Sequence, residues 1–267
     1  MSKPKIIGII PARLDSKRLP QKPLIKIHGK PLIQNVYENA AKSKLLDRLI
    51  VVTDSSKISD LVVAFGGEAY ISLKNHHTGS DRVAEVAGNL NCDLVINIQC
   101  DHVYLPPTII DFLASSMLKE KSVRIGTLAT RITDPVNWKN PNVVKVALDK
   151  NDFALYFSRY PIPYIRDLGL GTEDRKLATG NWKLNLKKLP FYEHIGIYGF
   201  RKDFLIKFSS WKQTPLEKLE RLEQLRVLEN GYKIKVYITQ KKIRTVDAPA
   251  DLRKLKISHT IRGPASR

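Results

Sequence analysis

IIGIIPARLDSKRLPQKPL, residues 6–24, combines an apolar segment with a strongly basic loop. The apolar residues at its start predict a buried strand, which we expect to end at Pro11. The cations of the loop follow within a few residues: Arg13, Lys17, Arg18 and Lys22. In open α/β sheets, ligands bind beyond the carboxyl ends of the strands, and the loop after the first strand commonly holds phosphates. The stretch therefore predicts an α/β sheet with an anion site at its first loop.

The basic loop lacks the glycine patterns that bind phosphate through backbone N–H groups. Neither G-x-G-x-x-G nor G-x-x-x-x-G-K-[ST] occurs in it. We therefore expect phosphate to be bound by side chains, and the loop carries enough cations to neutralise a triphosphate. A solvated basic loop is the alternative, and it is the commoner explanation for a charge run taken alone.

The order P-A-R-x-x-S-x-R-L-P-x-K-P-L resembles the opening motif of the CMP-sugar synthetases. Its L-P-x-K-P-L ending is similar to the branch of that family that activates 3-deoxy-manno-octulosonate (Kdo), an acidic sugar of bacterial lipopolysaccharide. The resemblance implies a site for the triphosphate of CTP made by the following residues: Ala12, Arg13, Ser16 and Lys22.

The composition is that of a globular protein. The chain has 267 residues, of which 43% are hydrophobic, and we expect one α/β domain over residues 1–257 with a disordered tail over 258–267. No apolar run approaches the ~20 residues of a membrane span, and the apolar run of the N-terminal stretch is too short for a signal peptide, so a cytoplasmic protein is expected. Cys92 and Cys100 indicate neither disulfides nor a structural zinc site.

The net charge of +19 invites a nucleic-acid interpretation. The lysines are nevertheless scattered along the chain, with no interleaved aromatic stripe, so a nucleic-acid function is not expected. Part of the charge is available to attract anionic substrates, although a surface field identifies none of them.

Strand-like and helix-like segments alternate after the first loop. RLIVVT (48–53), EAYI (68–71) and DLVINIQCD (93–101) read as strands, and they predict a Rossmann-like mixed, mainly parallel sheet of the nucleotide-diphospho-sugar transferase type. Residues 140–201 alternate as short antiparallel strands and predict a smaller lobe, within which 168–190 reads as a mobile or family-variable insertion. A capping box at Thr214 predicts one helix that extends through Leu228. The helix after residues 48–53 has Asp54 and Ser55 as candidate caps and is expected to stop at the glycines of 66–67. A turn is predicted at residues 150–152.

Asp101 ends a buried strand beside the expected phosphate site. A carboxylate there is well placed to hold Mg²⁺ against phosphate oxygens, and capping of the following turn is an even alternative. The Kdo-activating family has N-V/I-Q-G-D-E-P at this place, whereas this chain has Cys100, His102 and Val103 where the family has Gly, Glu and Pro. The cysteine matters if the backbone there needs a positive φ, and His102 removes a negative charge.

Further segments resemble the same family in the same order. They are NHHTGSDR (75–82), NPNVVKV (140–146), ALYFSR (154–159), HIGIYGFR (194–201), LEQLR (222–226) and TVDAPADL (245–252). The resemblance implies that Ser80 contacts the nucleotide and that Asp247 is a second magnesium ligand beside Asp101. It further implies that a set of polar residues orients the acidic sugar: Arg82, Gln99, Arg159, His194, Glu223 and Gln224. The alternatives are structural: an ion pair for Arg159, a satisfied buried histidine for His194, solvated helix positions for Glu223 and Gln224, and a helix cap for Asp247.

The reaction implied is CTP plus Kdo giving CMP-Kdo and pyrophosphate, with Arg13, Lys22, Asp101 and Asp247 as the catalytic residues and Mg²⁺ as the cofactor. The resemblance also implies a homodimer formed through the antiparallel lobe. Two alternatives remain open at this point. One is a cytidylyltransferase for a modified or different ulosonate, which the altered residues around Asp101 motivate. The other is a nucleotide-binding protein without turnover.

Overall fold

A computed structural model describes residues 3–15, 19–72, 74–164, 189–241, 243, 245–246 and 251–252. Ser16, Asp247, residues 168–188 of the expected insertion and the expected tail lie outside these ranges. The strands are β1 Ile6–Ala12, β2 Lys26–Ile27, β3 Lys30–Pro31, β4 Arg48–Thr53, β5 Glu68–Ile71, β6 Leu94–Ile98, β7 Ile125–Arg131, β8 Lys145–Leu148, β9 Ala154–Ser158, β10 Tyr192–Arg201 and β11 Lys235–Ile238.

Along the chain, the helices lie between these strands. They are α1 Leu32–Ala40, α2 Ser56–Ala64, α3 Gly79–Gly88, α4 Pro107–Lys119, α5 Pro135–Lys139, α6 Lys202–Ser209, α7 Pro215–Glu220 and α8 Leu225–Glu229. The chain groups into two compact units, one of Met1–Arg124, Ile197–Ser210 and Ile243–Arg267, the other of Ile125–Gly196 and Trp211–Lys242. The prediction of a single domain over 1–257 stays a prediction.

The first unit is built on a mainly parallel sheet. Its strand order is β10, β6, β1, β4 and β5, and β10 alone runs antiparallel, against β6. Ile6, Ile9 and Ile10 of β1 are buried because parallel strands are covered on both faces. The predicted mixed, mainly parallel sheet is confirmed.

The prediction that β1 ends at Pro11 was wrong. Pro11 pairs in register with Val52, and the strand continues to Ala12. The proline is tolerated because β1 pairs with β6 only as far as Ile9. No carbonyl of β6 therefore lacks a hydrogen bond because Pro11 has no N–H.

The helices of the first unit end largely where the sequence predicts. α2 stops just before Gly66, which has a φ of +83° and supplies the left-handed residue that ends a helix. Asp54 and Ser55 were expected to cap α2, but neither side chain does so. Ser55 occupies the capping position without a side-chain hydrogen bond, and both Asp54 oxygens bond elsewhere.

The second unit contains the expected antiparallel strands and a parallel pair. β8 pairs antiparallel with β9 and with the first residues of β10, and β11 runs parallel to β7. The β8–β9 turn lies at the predicted place, with Asp152 at a φ of +58°. A small apolar cluster of Ile132, Trp138 and Phe191 is buried in this unit.

The single helix predicted from Thr214 through Leu228 is divided in two. The Glu217 carboxylate accepts from the Thr214 N–H, as in a capping box, but α7 ends at Glu220, and the next residue, Arg221, has a φ of +53°. Leu219, which a continuous helix would bury, is 80% exposed. The backbone turns here because a buried Arg226–Glu217 pair and the Glu229 carboxylate, which accepts from the N–H groups of Leu216 and Glu217, hold α8 against the start of α7.

None of the helices in the described ranges combines the length and the apolar character needed to cross a bilayer.

Candidate active site

Arg13 lies in the loop after β1, with its side chain exposed. Both neighbouring backbone groups are held by side chains from other elements. The Ala12 carbonyl accepts from Arg82 Nη1 at 3.0 Å, and the Leu14 N–H donates to Asp54 Oδ1 at 3.1 Å. The backbone on either side of Arg13 is therefore anchored while its guanidinium faces outward.

Lys22 forms an ion pair with Asp101. Lys22 Nζ lies 3.2 Å from Asp101 Oδ2, and the side chains are 15% and 26% exposed. Burial by itself raises the pKa of the Asp101 carboxyl, but the Lys22 ammonium and the neighbouring His102 outweigh burial and hold that pKa below its usual value. Asp101 is therefore an anion at neutral pH, beside the end of a central strand.

The second oxygen of Asp101 is the feature of this site that fits a metal ion. Oδ1 is buried and has no hydrogen-bond partner among the described residues. A buried carboxylate oxygen without a donor is costly, and Mg²⁺ takes oxygen ligands of this kind. The described ranges contain no group of three or more acidic, histidine or cysteine side chains able to hold a metal. Further ligands would thus come from Asp247 or from substrate phosphate.

Asp247 itself lies outside the described residues, but the residue before it in the chain is placed. The buried Val246 donates its N–H to the Asp101 carbonyl at 3.1 Å. The chain segment that leads into Asp247 is therefore bonded directly to the residue proposed to share its metal.

The altered residues around Asp101 fit the turn without backbone strain. The His102 N–H donates to the Gln99 carbonyl, and Cys100 is not among the non-glycine residues with positive φ. The backbone conformation at Cys100 therefore does not require glycine. Burial raises the pKa of the Cys100 thiol to about 12, so it stays protonated, and His102 is buried with Nε2 3.7 Å from Asp101 Oδ1.

Two predicted residues, Ser80 at the start of α3 and Gln99 directly after β6, are linked at the end of β6. Thr78 and Asp81 form a reciprocal capping box at the start of this helix. The Ser80 hydroxyl is fully buried and accepts from Asn97 Nδ2 at 2.8 Å, while Gln99 Nε2 donates to Asn97 Oδ1 at 3.1 Å. Asn97 therefore links Ser80 to Gln99. The sequence pattern had predicted Asn97 only as a residue of a strand.

His76 precedes this helix and is bonded to it. His76 Nε2 lies 2.7 Å from Glu85 Oε2 and 3.0 Å from Ser72 Oγ, and the Ser72 hydroxyl also donates to Glu85. Both oxygen partners face the same ring nitrogen, so the arrangement is not a nucleophile–base–acid relay. It joins the end of the β5 segment to α3.

In the second unit, Arg159 is held by the end of α7 and by a neighbouring loop. Its N–H donates to Glu220 Oε2 at 2.9 Å, Nε to the Glu220 carbonyl at 2.8 Å, and Nη1 to the Pro141 carbonyl at 3.1 Å. Lys145, whose side chain is buried, donates to the carbonyls of Asn140, Val143 and Arg159. These contacts fix the place from which the Arg159 side chain projects.

His194 and the pair Glu223 and Gln224 lie in the same unit. His194 Nε2 is 2.9 Å from Thr127 Oγ1, and its ring packs edge-on against Phe157 at 4.9 Å. Glu223 and Gln224 occupy the turn between α7 and α8, where Glu223 is half-buried and Gln224 is buried. They are therefore turn residues, not positions on a continuous helix.

The structure thus brings together part of the predicted set within each unit. Arg13, Lys22, Arg82 and Asp101 lie around the ends of the first-unit strands, with Ser80 and Gln99 beside them. Sequence reasoning missed Asp54, Glu85, Lys145 and Glu220, each of which bonds to a residue 9 or more positions away along the chain. Only contacts between distant segments identify such residues.

A mainly parallel α/β sheet whose first loop presents cations beside a carboxylate at the end of a central strand is the arrangement expected of a nucleotidyltransferase-type protein. The sequence profile of the cytidylyltransferase family matches residues 7–243. A 3-deoxy-manno-octulosonate cytidylyltransferase of Geobacter metallireducens is 43% identical over 94% of this chain and 96% of its own length. The protein of that name from Fusobacterium nucleatum is 43% identical over 93% of this chain and 94% of its own.

Solved structures give the same result. The structure of CMP:2-keto-3-deoxy-manno-octonic acid synthetase complexed with CTP has a TM-score of 0.83 and 34% identity, covering 97% of this chain and 100% of that one. A 4-diphosphocytidyl-2C-methyl-D-erythritol synthase from Anaerococcus prevotii has a TM-score of 0.60 at 12% identity, which shows a shared fold alone. The chain belongs to the 3-deoxy-manno-octulosonate cytidylyltransferase family, and it is a CTP-dependent enzyme.

Proposed function

We propose that this enzyme transfers the cytidylyl group of CTP to Kdo and releases pyrophosphate. The oxygen of the anomeric hydroxyl forms a bond to the α-phosphorus, and the bond from that phosphorus to the bridging oxygen of the β-phosphate breaks. The hydroxyl proton goes to solvent, and pyrophosphate leaves with the electron pair. Such a reaction needs alignment and charge neutralisation more than covalent catalysis.

The partly buried Lys22–Asp101 pair, in which one carboxylate oxygen has no hydrogen-bond partner among the described residues, is the observation that carries the proposal. Lys22 and Arg13 bind the triphosphate and stabilise the charge that develops on pyrophosphate. Asp101 and Asp247 would hold magnesium. When bound, the ion lowers the pKa of the attacking hydroxyl and withdraws charge from the α-phosphate.

The sugar is oriented by side chains of the second unit. Arg159 binds its carboxylate, because a guanidinium matches that group in shape and charge. His194, Glu223 and Gln224 bind hydroxyls. Arg159 is supported in this role by two contacts that hold its guanidinium in place: Nε donates to the Glu220 carbonyl and Nη1 to the Pro141 carbonyl. We also propose that the enzyme works in the cytoplasm, where CTP is available, and as a homodimer with twice the 30.3 kDa mass of one chain. Light scattering of the purified protein tests the dimer.

Pyrophosphate release from the purified protein with CTP and magnesium tests the reaction, with Kdo, no sugar, or another ulosonate in parallel. Release that depends on Kdo supports the proposal. Release only with a different or amino-substituted ulosonate would assign that sugar as the substrate, and Cys100, His102 and Val103 would be the first residues to revert. No release with any sugar contradicts the proposal.

A further inference from the structure

Arg13, which is proposed above to bind the triphosphate, lies between two backbone groups that are each bonded to a side chain. The carbonyl before it, of Ala12, accepts from Arg82 Nη1 at 3.0 Å. The N–H after it, of Leu14, donates to Asp54 Oδ1 at 3.1 Å. A single residue thus lies between two charge-assisted hydrogen bonds, which are stronger than neutral ones.

The two side chains that make these bonds also bind each other. Arg82 Nη2 lies 2.8 Å from Asp54 Oδ2, so the chain from Ala12 to Leu14 and the two side chains form a closed ring. Asp54 directly follows β4 and Arg82 belongs to α3, so the ring joins the ends of two neighbouring strands to a helix. The Arg82 side chain is 8% exposed, and its guanidinium is committed to these acceptors.

We propose that Asp54 and Arg82 are positioning residues that hold Arg13 in the orientation needed to bind the triphosphate. The inference rests on the proposed function and deepens it. It gives Arg82 a task different from the sugar contact that the family resemblance implies. Binding of phosphate by Arg13 costs the conformational entropy of its backbone and of its side chain. Because the backbone on both sides of Arg13 is already fixed, the backbone part of this cost is reduced.

CTP binding without sugar, measured by titration calorimetry, tests the pair directly. Asp54→Ala and Arg82→Gln are each expected to raise the Kd for CTP about tenfold or more, because a misplaced binding group loses much of its contribution. The double variant is expected to have a Kd for CTP no higher than that of the single variant with the higher Kd, because both changes open the same ring. Asp54→Asn, which keeps an acceptor for the Leu14 N–H, is expected to bind better than Asp54→Ala.

A steady-state experiment separates positioning from sugar contact. Positioning predicts that Asp54→Ala and Arg82→Gln raise KM for CTP alike and leave KM for Kdo within about twofold of wild type. If Arg82 binds the sugar, Arg82→Gln alone raises KM for Kdo, and the proposal is overturned. Circular dichroism checks that each variant is folded, and Asp54→Asn provides the test if Arg82→Gln is not.

Arg48 and Glu68 supply the matched control. They form an exposed arginine–carboxylate pair at the opposite end of β4. Arg48→Gln and Glu68→Ala are expected to leave CTP binding unchanged. If the wild type binds CTP and the Asp54 and Arg82 variants bind it equally well, the positioning role is overturned while the proposed function stands. A wild type that does not bind CTP overturns both.

Discussion

Lys145 is a buried lysine in the middle of the second unit, bonded to three main-chain carbonyls. Burial lowers the pKa of its ammonium to about 8, although the nearby Glu220 carboxylate acts in the opposite direction. One of its acceptors is the carbonyl of Arg159, the residue proposed to bind the sugar carboxylate. Lys145 therefore helps to hold both this unit and the backbone of Arg159 in place.

We predict that Lys145→Met lowers the free energy of unfolding by at least ~2 kcal/mol, because it leaves buried carbonyls without donors. The deficit should grow with pH. The folded wild type gives up its proton near pH 8, whereas an unfolded lysine does so near ~10.4. Between these values the unfolded chain binds more protons, so wild-type stability rises with pH relative to the variant.

Urea unfolding in buffers below and above the Lys145 pKa measures this difference. Lys150→Met, which removes an exposed lysine from the same hairpin, is the control for loss of one charge. A wild-type advantage over Lys145→Met that is constant with pH would contradict the prediction.

Asp101 is the second residue on which a single substitution is informative. Asp101→Asn keeps the shape of the side chain but removes the charge that faces Lys22 and the proposed metal. We predict a loss of turnover of at least ~10²-fold at saturating CTP and Kdo, together with a weaker dependence on magnesium. Stopped-time assays of pyrophosphate across a magnesium titration measure both.

The exposed Asp60 on α2 provides the matched comparison for Asp101. Asp60→Asn changes the net charge equally and should leave turnover unaltered. Near-normal turnover of Asp101→Asn would remove this carboxylate from the catalytic site.

At the scale of elements, the turn between α7 and α8 is held by a buried ion pair. Arg226 Nε and Nη2 donate to both oxygens of Glu217 at 2.8 and 2.6 Å, and the two side chains are 1% and 3% exposed. The Arg226 N–H also donates to the Glu223 carbonyl at 3.2 Å. The pair therefore sets the conformation of the turn that presents Glu223 and Gln224.

We predict that Arg226→Met costs ~3–5 kcal/mol of stability, because it leaves the Glu217 carboxylate buried without its partner. Adding Glu217→Gln should recover part of this loss, since glutamine keeps an acceptor for the Thr214 capping box but carries no charge. Urea unfolding of both single variants and the double variant measures the recovery. Losses that simply add would show that the two side chains act independently.

At the scale of the whole molecule, the net charge of +19 bears on how fast anions arrive. Raising the ionic strength from about 0.01 to about 0.1 M shortens the Debye length from about 30 Å to about 10 Å. We predict that the association rate of CTP falls over this range, because a long-range field acts on encounter. Its dissociation rate should change less, because partly buried pairs such as Lys22–Asp101 are screened less.

Stopped-flow measurement of both rates with a fluorescent CTP analogue tests this. A salt effect found entirely in the dissociation rate would show that local contacts with the phosphates, and not the overall charge, respond to salt.

The sequence predicted well where patterning is local. Apolar runs marked the core strands, glycine marked the end of α2, and the T-P-x-E order marked the start of α7, because each signal depends on residues a few positions apart. The predicted length of the α7 helix was wrong because the leucine spacing does not indicate that Arg226 pairs with Glu217. The end of β1 was wrong because the tolerance of Pro11 depends on where the neighbouring β6 stops pairing.

By itself the sequence determined the fold class and the family, and it predicted the residue types of the site, since motifs in family order require no three-dimensional information. Only the tertiary structure revealed which side chains hold the site residues in place. Asp54 joins Arg82 across 28 positions, and Lys145 reaches the Arg159 carbonyl across 14. Such partners are brought together by the packing of strand ends and helices. Hydrogen bonds between side chains from distant segments produce no periodic pattern in the sequence.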